Sequence, residues 1–256
     1  MINPFPEEPR LIFALIMIPA RYITIAGLFF YLFYKYKPHN WVYIKIQEKT
    51  PTGQQIKTEI IYSLITMFIF SLVTIFIFGL YHNGYTYMYT EIDNYGVSYY
   101  IFSTILLIVI HDIYFFITHK MMHHRKIYPI VHKIHHLSTN PSPWAAFSFH
   151  PIEAIVQIAW IPIVVMVLPI HHSSILIWSI FMMVFNVVGH LGYEIFPKRF
   201  LDYKIGKIFF TSTFHNIHHS KNNCNYGLYF IIWDRLLNTF HPDYQKIYNR
   251  IKLTIS

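Results

Sequence analysis

Apolar residues gather in five long continuous runs, residues 11–34, 60–81, 99–118, 152–170 and 174–188, separated by more polar connections. Most approach the roughly 20 residues that a helix needs to cross the hydrocarbon of a bilayer. The pattern predicts an all-α fold, a polytopic membrane helical bundle of about five hydrophobic segments. The last run is the shortest and is expected to borrow a residue or two from the loop before it. Pro19 and Arg21 interrupt the first run near its middle, so that segment is expected to be kinked or partly re-entrant, with the arginine facing protein or water rather than lipid.

Composition sharpens this picture. The chain is 54% hydrophobic and only 12% charged, against about a quarter charged in a soluble domain. The runs occupy too much of the chain for a secreted protein with a cleavable leader, and Glu7 and Glu8 stand where a leader would carry positive charge. Cys224 is the one cysteine, so no internal disulfide can form. No repeat, low-complexity stretch or linker divides the sequence, and residues 1–256 read as a single domain with a helical cap outside the membrane.

Basic residues give that domain an orientation. Lys35, Lys37, Lys45, Lys49 and Lys57 follow the first run; Lys120, Arg125, Lys126 and Lys133 lie in 119–150; nine more Lys and Arg follow Leu191. The connections 82–98 and 171–173 contain none. Positive charge concentrates on the cytoplasmic side, which puts the N-terminus outside and residues 119–150 and 191–256 in the cytosol. The same charge suits anionic headgroups; with no interleaved aromatic and basic motif, nucleic acid is not an expected partner.

Seventeen histidines are several times ordinary usage. His119 and His123 are followed by His132, His135 and His136, and far downstream by His215, His218 and His219. The spacings within each group are i, i+3 or i, i+4, which on a helix project imidazoles from one face about a turn apart. Imidazole is a ligand for iron, zinc and copper, and eight of them exceed the needs of one ion, so two metals are the economical reading. All three groups fall on the side that the lysines and arginines mark as cytosolic. His190, beyond the fifth run, is placed to join them as a ninth ligand. His150 opens the fourth run as either a ligand or pocket residue or a polar helix start. Asp112, seven residues before His119 on nearly the same face, is a candidate carboxylate partner for a metal-bound histidine, or the partner of some other polar group. His124, His171, His172, His39, His82 and His241 lack useful spacing or lie on the wrong side. His111, deeper in its run and off the His119 face, is expected to be packed.

These residues resemble the fatty acid hydroxylase/sterol desaturase superfamily of membrane di-metal oxidases, over roughly residues 99–243. The resemblance is carried by His119-Lys120-Met121-Met122-His123-His124, His132-Lys133-Ile134-His135-His136, Asn140-Pro141-Ser142-Pro143-Trp144-Ala145-Ala146 and His150-Pro151-Ile152-Glu153. It continues through Gly189-His190-Leu191-Gly192-Tyr193-Glu194, His215-Asn216-Ile217-His218-His219, Asn225-Tyr226-Gly227-Leu228-Tyr229-Phe230 and Trp233-Asp234-Arg235. The 225–235 stretch is most similar to the sterol C-5 desaturase branch. Two departures stand out: Lys120 where arginine is frequent, and Leu237-Asn238-Thr239 in place of Phe-Gly-Thr. The first two runs carry no matching motif.

The resemblance implies that the eight box histidines, with His190, bind two metal ions, iron by expectation. It implies molecular oxygen as co-substrate, electrons from a separate donor (a b-type cytochrome, or ferredoxin with its reductase) and a membrane lipid, sterol-like or fatty acyl, whose C–H bond is hydroxylated or desaturated. Endoplasmic reticulum in a eukaryote and the inner membrane in a bacterium both suit such a chain. The alternative class is a membrane metal transporter or metal-binding protein without oxidase activity. Transporters place ligands near the midplane, whereas these clusters fall at segment ends; a zinc-stabilised cap would need no apolar entrance beside them.

Overall fold

The computed structural model describes residues 7–253, with side chains from 12 to 251, so the side chains of Glu7, Glu8, Arg10 and Lys252 lie outside the described residues. It is helical, and among the described residues no strand forms beyond three isolated bridges. The elements in order are α1 (Glu7–Phe30), α2 (Gly53–His82), α3 (Gly96–Met122), α4 (Tyr128–Val131), α5 (Pro151–Ile158), α6 (Trp160–Val167), α7 (His172–Gly189), α8 (Ser212–Lys221), α9 (Ile232–Leu236) and α10 (Tyr244–Leu253).

Among the described residues four helices are long and apolar enough to cross a membrane: Ile12–Lys35, Gly53–His82, Gly96–Met122 and His172–Gly189. The first stays helical through Pro19 and ends in a π turn, Tyr31–Lys35. The last begins two residues before the expected run, as its brevity suggested. The fourth expected crossing, 152–170, departs from one span. It is a shorter apolar segment broken at Ala159 into α5 and α6. Pro162 is the cause: it has no N–H for the Ile158 carbonyl, and its ring crowds that same carbonyl four residues back.

Burial is inverted relative to a soluble bundle. On α2, Glu59, Ser63, Thr66 and Ser71 are buried while Phe68, Leu72 and Phe76 are exposed. Ile101, Phe102 and Ile105 on α3 and Leu176, Ile177 and Ile180 on α7 likewise face outward. Polar groups need partners inside the protein and apolar ones need none in lipid, so this arrangement marks a multi-pass membrane protein. The bundle has an apolar core that includes Met67, Leu107, Phe147, Trp160, Trp178 and Met183. The cap has its own, built from Phe210, Phe214, Ile217, Tyr244 and Tyr248 among others.

The ends of the bundle are distinct. At one end, Tyr89 and His171 pair through Tyr89 N–H to Ile170 O and His172 N–H to Tyr89 O, both 3.2 Å. At the other, the basic connection after α1 joins the cap. Ile46 N–H donates to Gly192 O at 3.0 Å, Glu194 N–H to Ile44 O at 2.8 Å, and Gln47 Nε2 to Asn216 Oδ1 at 2.8 Å. Tyr34, from the π turn, donates to Leu191 O at 2.8 Å. Gly192 has a φ of +76°, and a Cβ there would lie 2.5 Å from the Tyr34 hydroxyl, so the residue must be glycine for this close approach.

Candidate metal centre

Nine imidazoles converge at the cap end in two groups. His119, His123, His132, His136 and His218 form one; His135, His190, His215 and His219 form the other, and within each group the ligating atoms lie within 4.8 Å of one another. The first box falls in one group, while the second and third are each divided between the two. Histidines four apart share a group: His119 with His123, His132 with His136, His215 with His219. The third members, His135 and His218, go to the other group. In α8 the reason is rotation, because residues four apart differ by about 40° around a helix while neighbours differ by about 100°.

Hydrogen bonds on the far side of five of the nine rings fix the proton. Nδ1 faces a backbone carbonyl in His119 (Tyr226, 2.8 Å), His190 (Asn186, 2.7 Å), His218 (Cys224, 2.7 Å) and His219 (Ser138, 3.0 Å). A carbonyl can only accept, so each Nδ1 carries the proton and each Nε2 is left as a lone pair. His132 donates from Nδ1 to Glu153 Oε1 at 2.7 Å in the same way. Yet the Nε2 atoms of His119 and His132 stand 3.1 Å apart, as do those of His190 and His219. Facing lone pairs at that distance repel unless a cation lies between them.

Protons do not fill that role. Burial, reinforced by neighbouring imidazoles, holds His132, His135, His215, His218 and His219 well below the ordinary histidine range. Burial pushes His190 down to about 4 and His136 to about 3. A metal ion satisfies the geometry: nitrogens about 2.1 Å from one ion, at right-angled to tetrahedral positions, lie about 3.0–3.4 Å apart. His190, His215 and His219 form a triangle of 3.1, 3.1 and 3.2 Å, and His136 and His218 are 3.1 Å apart. His123 Nε2 is buried with no hydrogen-bond partner. Neutral imidazoles without carboxylate or thiolate suit iron, zinc, copper or nickel, and the residues present fit two such ions.

The supports around the rings differ in part from those read in the sequence. Asp112 is fully buried but does not touch His119. It accepts from Tyr229 N–H (2.8 Å), Phe230 N–H (3.3 Å) and Trp233 Nε1–H (2.7 Å). Asp112 thus holds the 226–233 loop, and the Tyr226 carbonyl of that loop holds His119. The carboxylate bonded directly to a clustered histidine is Glu153, near the start of α5. Its detectable signal was the one that singled out Asp112, an acidic residue inside an apolar segment. His150 belongs to neither group; its Nδ1 caps α5 by accepting from Ile152 N–H at 3.2 Å. His124 is exposed. His111 is packed on Trp160 with ring centroids 5.0 Å apart, and its Nδ1 meets the Tyr229 hydroxyl at 2.8 Å.

Three further acidic groups, none singled out in the sequence, position the histidine-bearing segments. Glu194 accepts from Thr213 N–H (2.9 Å) in the first turn of α8 and from Phe196 N–H (3.0 Å), favourable for a carboxylate at a helix N-terminus. Asp234 accepts from Tyr226 N–H (2.8 Å) and Gly227 N–H (2.7 Å). Glu59 on α2 accepts from Ser138, Ser142 and Gln55, and the Ser138 carbonyl receives His219. Tyr22 and Ser63 both donate to Trp144 O at 2.8 Å. The first two helices, without a motif of their own, therefore hold the loop that follows the second box.

A small, mostly apolar pocket with about 10 Å³ of free space lies beside this layer. Phe115 and Phe149, in its wall, pack on His119 (4.9 Å) and His135 (5.1 Å), and Asn186, whose carbonyl holds His190, lines it too. Trp178, Met182, Ile158 and Leu228 continue the wall into the bundle.

A helical membrane bundle capped by nine imidazoles in two groups defines a membrane protein with two candidate metal sites. The chain matches the fatty acid hydroxylase family over residues 104–239, more than half its length, and belongs to that family. It is 29% identical over 210 residues to a Delta(7)-sterol 5(6)-desaturase of Gibberella zeae, covering 82% of this chain and 61% of that protein. It is 29% identical over 191 residues to lathosterol oxidase of Rattus norvegicus, covering 73% and 62%. Methylsterol monooxygenase 1 of Danio rerio is 34% identical over 133 residues, covering 51% and 44%. The chain thus spans about three-fifths of the length of the first two relatives. No solved structure matches it.

Proposed function

We propose that this protein is an oxygen-dependent membrane oxidase. In this reading two iron ions, one in each histidine group, serve the hydroxylation or desaturation of a C–H bond in a sterol-like or fatty acyl lipid. The observation that carries the reading is the union of two lone-pair clusters with apolar side chains, Phe115 and Phe149, packed on rings of both groups. The five-histidine group would hold one ion and the four-histidine group the other. When bound, they supply the oxygen and one-electron chemistry that no side chain provides.

The chain's own residues do the rest. Carbonyls of Tyr226, Asn186, Cys224 and Ser138, with Glu153, keep Nδ1 protonated and Nε2 free to ligate. Phe115 and Phe149, packed on His119 and His135, keep bulk water from the centres. In hydroxylation, O2, two electrons and two protons convert R–H to R–OH and one water. In desaturation the same inputs remove two hydrogens from adjacent carbons and yield two waters. The electrons come from a separate donor protein, a b-type cytochrome or ferredoxin with its reductase. The basic connections collected at the cap end support a cytosolic cap, in the endoplasmic reticulum or a bacterial inner membrane. The whole chain acts as one unit, since bundle and cap share the site. Metal transport is disfavoured because the ligands lie at helix ends rather than at the midplane.

The test is metal content per chain in detergent, beside a His135→Ala/His136→Ala variant. This is followed by incubation with O2, a reductant and Δ7-sterol, fatty acyl or alkylglycerol lipids, read by mass spectrometry. Two irons per chain, diminished in the variant, and a lipid gaining one oxygen or losing two hydrogens are expected. Absence of bound metal, or metal unchanged in the variant, overturns the reading.

A further inference from the structure

The cap exposes large apolar side chains where it meets the bundle. Tyr203, Ile205 and Ile208 precede α8, and Ile232, Leu236 and Leu237 lie on and just after α9, with exposures of 38–67%. The two segments form one lip. Phe209 and Phe230 pair in an antiparallel bridge, Phe210 N–H donates to Tyr229 O at 3.0 Å, and Ile231 N–H donates to Ile208 O at 2.8 Å. Contacts with the long helices set the depth of this lip. Trp233 Nε1 donates to Asp112 at 2.7 Å, and Asp112 lies about 15 Å inside the cap end of α3. Phe185, near the end of α7, packs on Phe210 at 5.6 Å and on Phe209 at 6.4 Å. The 27 residues of α3 are about 40 Å long, against about 30 Å of hydrocarbon. The start of α9 therefore falls inside the apolar layer rather than above it.

We propose that this lip, residues 203–209 and 230–237, is embedded in the leaflet on the cap side and binds anionic lipid headgroups through Lys204, Lys207 and Arg235. At that depth exposed apolar side chains meet acyl chains, as they do on an interfacial amphipathic segment. Lys204, Lys207 and Arg235 are exposed among them, Arg235 lying 4.8 Å over the Phe240 ring. Among the described residues none of the three is in an ion pair. Long basic side chains so placed run their stems along the apolar layer and carry their charge to the level of the phosphates. The nearby carboxylates do not cancel that charge: Asp234 is buried on Tyr226 and Gly227 N–H, and Asp202 pairs with Arg199 at 3.6 Å. A second copy of this chain is a poor occupant, because a two-fold contact sets the same patch against itself and brings like charges together. The lip calls for no bound metal, so its insertion is independent of the oxidase reading.

Insertion is tested on the full chain in phospholipid nanodiscs. Ile205→Cys, Leu236→Cys and, as a lipid-facing reference on α7, Ile177→Cys are each made in a Cys224→Ala background and labelled with a nitrobenzoxadiazole dye. Phospholipids brominated on their acyl chains quench a dye in lipid, and acrylamide quenches a dye in water. The labels at 205 and 236 are expected to be quenched by bromolipid within about twofold of the label at 177, and only weakly by acrylamide. Acrylamide quenching without bromolipid quenching puts the lip in water and overturns the proposal. Protection from both quenchers puts a protein there and overturns it too. Headgroup binding is read by native mass spectrometry of phosphatidylserine and phosphatidylcholine retained by the wild type and by Lys204→Gln/Lys207→Gln/Arg235→Gln. The variant is expected to hold phosphatidylserine about fivefold more weakly for each cation removed, with phosphatidylcholine unchanged. Undiminished phosphatidylserine binding overturns the headgroup contact. The dye measurement needs none of these charge changes, so it tests insertion even where the triple variant fails to fold.

Discussion

Glu153 offers the sharpest test of how the centre is built. Its Oε1 accepts from His132 Nδ1 at 2.7 Å in a fully buried setting, and Oε2 has no partner. Glu153→Gln keeps an acceptor at that position but removes the charge; Glu153→Leu removes both. A hydrogen bond to a charged group contributes about 1.5–3 kcal/mol and a neutral one about 0.5–1.5. The glutamine variant should therefore bind metal in the five-histidine group about tenfold more weakly. For the leucine variant the loss is about 10- to 100-fold, the usual range for such partners of a ligating histidine. The assay is metal per chain after equilibration with graded chelator. Two steps are expected in the wild type, and in the variants one step moves to lower chelator while the other stays. A double-mutant cycle with His132→Ala then isolates the path: Glu153→Leu should add nothing once His132 is gone. An unshifted midpoint, or a full effect in the His132→Ala background, would refute the argument. Thermal unfolding of Glu153→Gln should be no worse than wild type, since it removes a buried charge.

Three further outcomes follow from the same geometry. Metal-stripped protein should lose stability as pH falls from about 6.5 toward 4. The unfolded chain protonates His190 and His136 near the ordinary value, whereas the folded chain holds them at about 4 and 3, so acid favours unfolding; melting curves of chelated and loaded samples should diverge over this interval. Gly189→Ala would put a Cβ 3.0 Å from the Phe210 ring and 3.3 Å from His215 Cδ2, and should weaken the four-histidine group about tenfold in the chelator titration while sparing the five-histidine group. Asp112→Asn should cost about 2 kcal/mol of stability, because three donors lose a charged acceptor. It should leave two metals per chain, and loss of one metal would show that Asp112 acts on the centre and not only on its loop.

Much of the site was legible because its signals are local. Helical spacing within 119–123 and 215–219 is a property of the chain before it folds, and so is an apolar run too long for a soluble protein. Asn238, standing where the related pattern has glycine, is similarly readable: its φ of +55° is one of the few left-handed positions a side chain tolerates, and asparagine tolerates it best. The break at Ala159 was present in the sequence as Pro162, three residues on, inside a run whose hydropathy alone suggested one unbroken crossing.

Other features depended on contacts between residues far apart in the chain. Spacing identified the histidines but did not divide them, because the division of the second and third boxes between two centres requires α3, α8 and the 132–136 turn to meet. Asp112 and Glu153 gave the same signal, a carboxylate in an apolar segment. Their partners lie 117 residues downstream at Tyr229 and 21 residues upstream at His132, and no local rule chooses between them. The role of the motif-free first helices likewise emerges only where Glu59, Ser63 and Tyr22 reach the 138–144 loop. Periodicity and composition act over a turn or a span, and the chain carries them by itself. A lone pair's neighbours and a pocket exist only once distant segments are packed against one another.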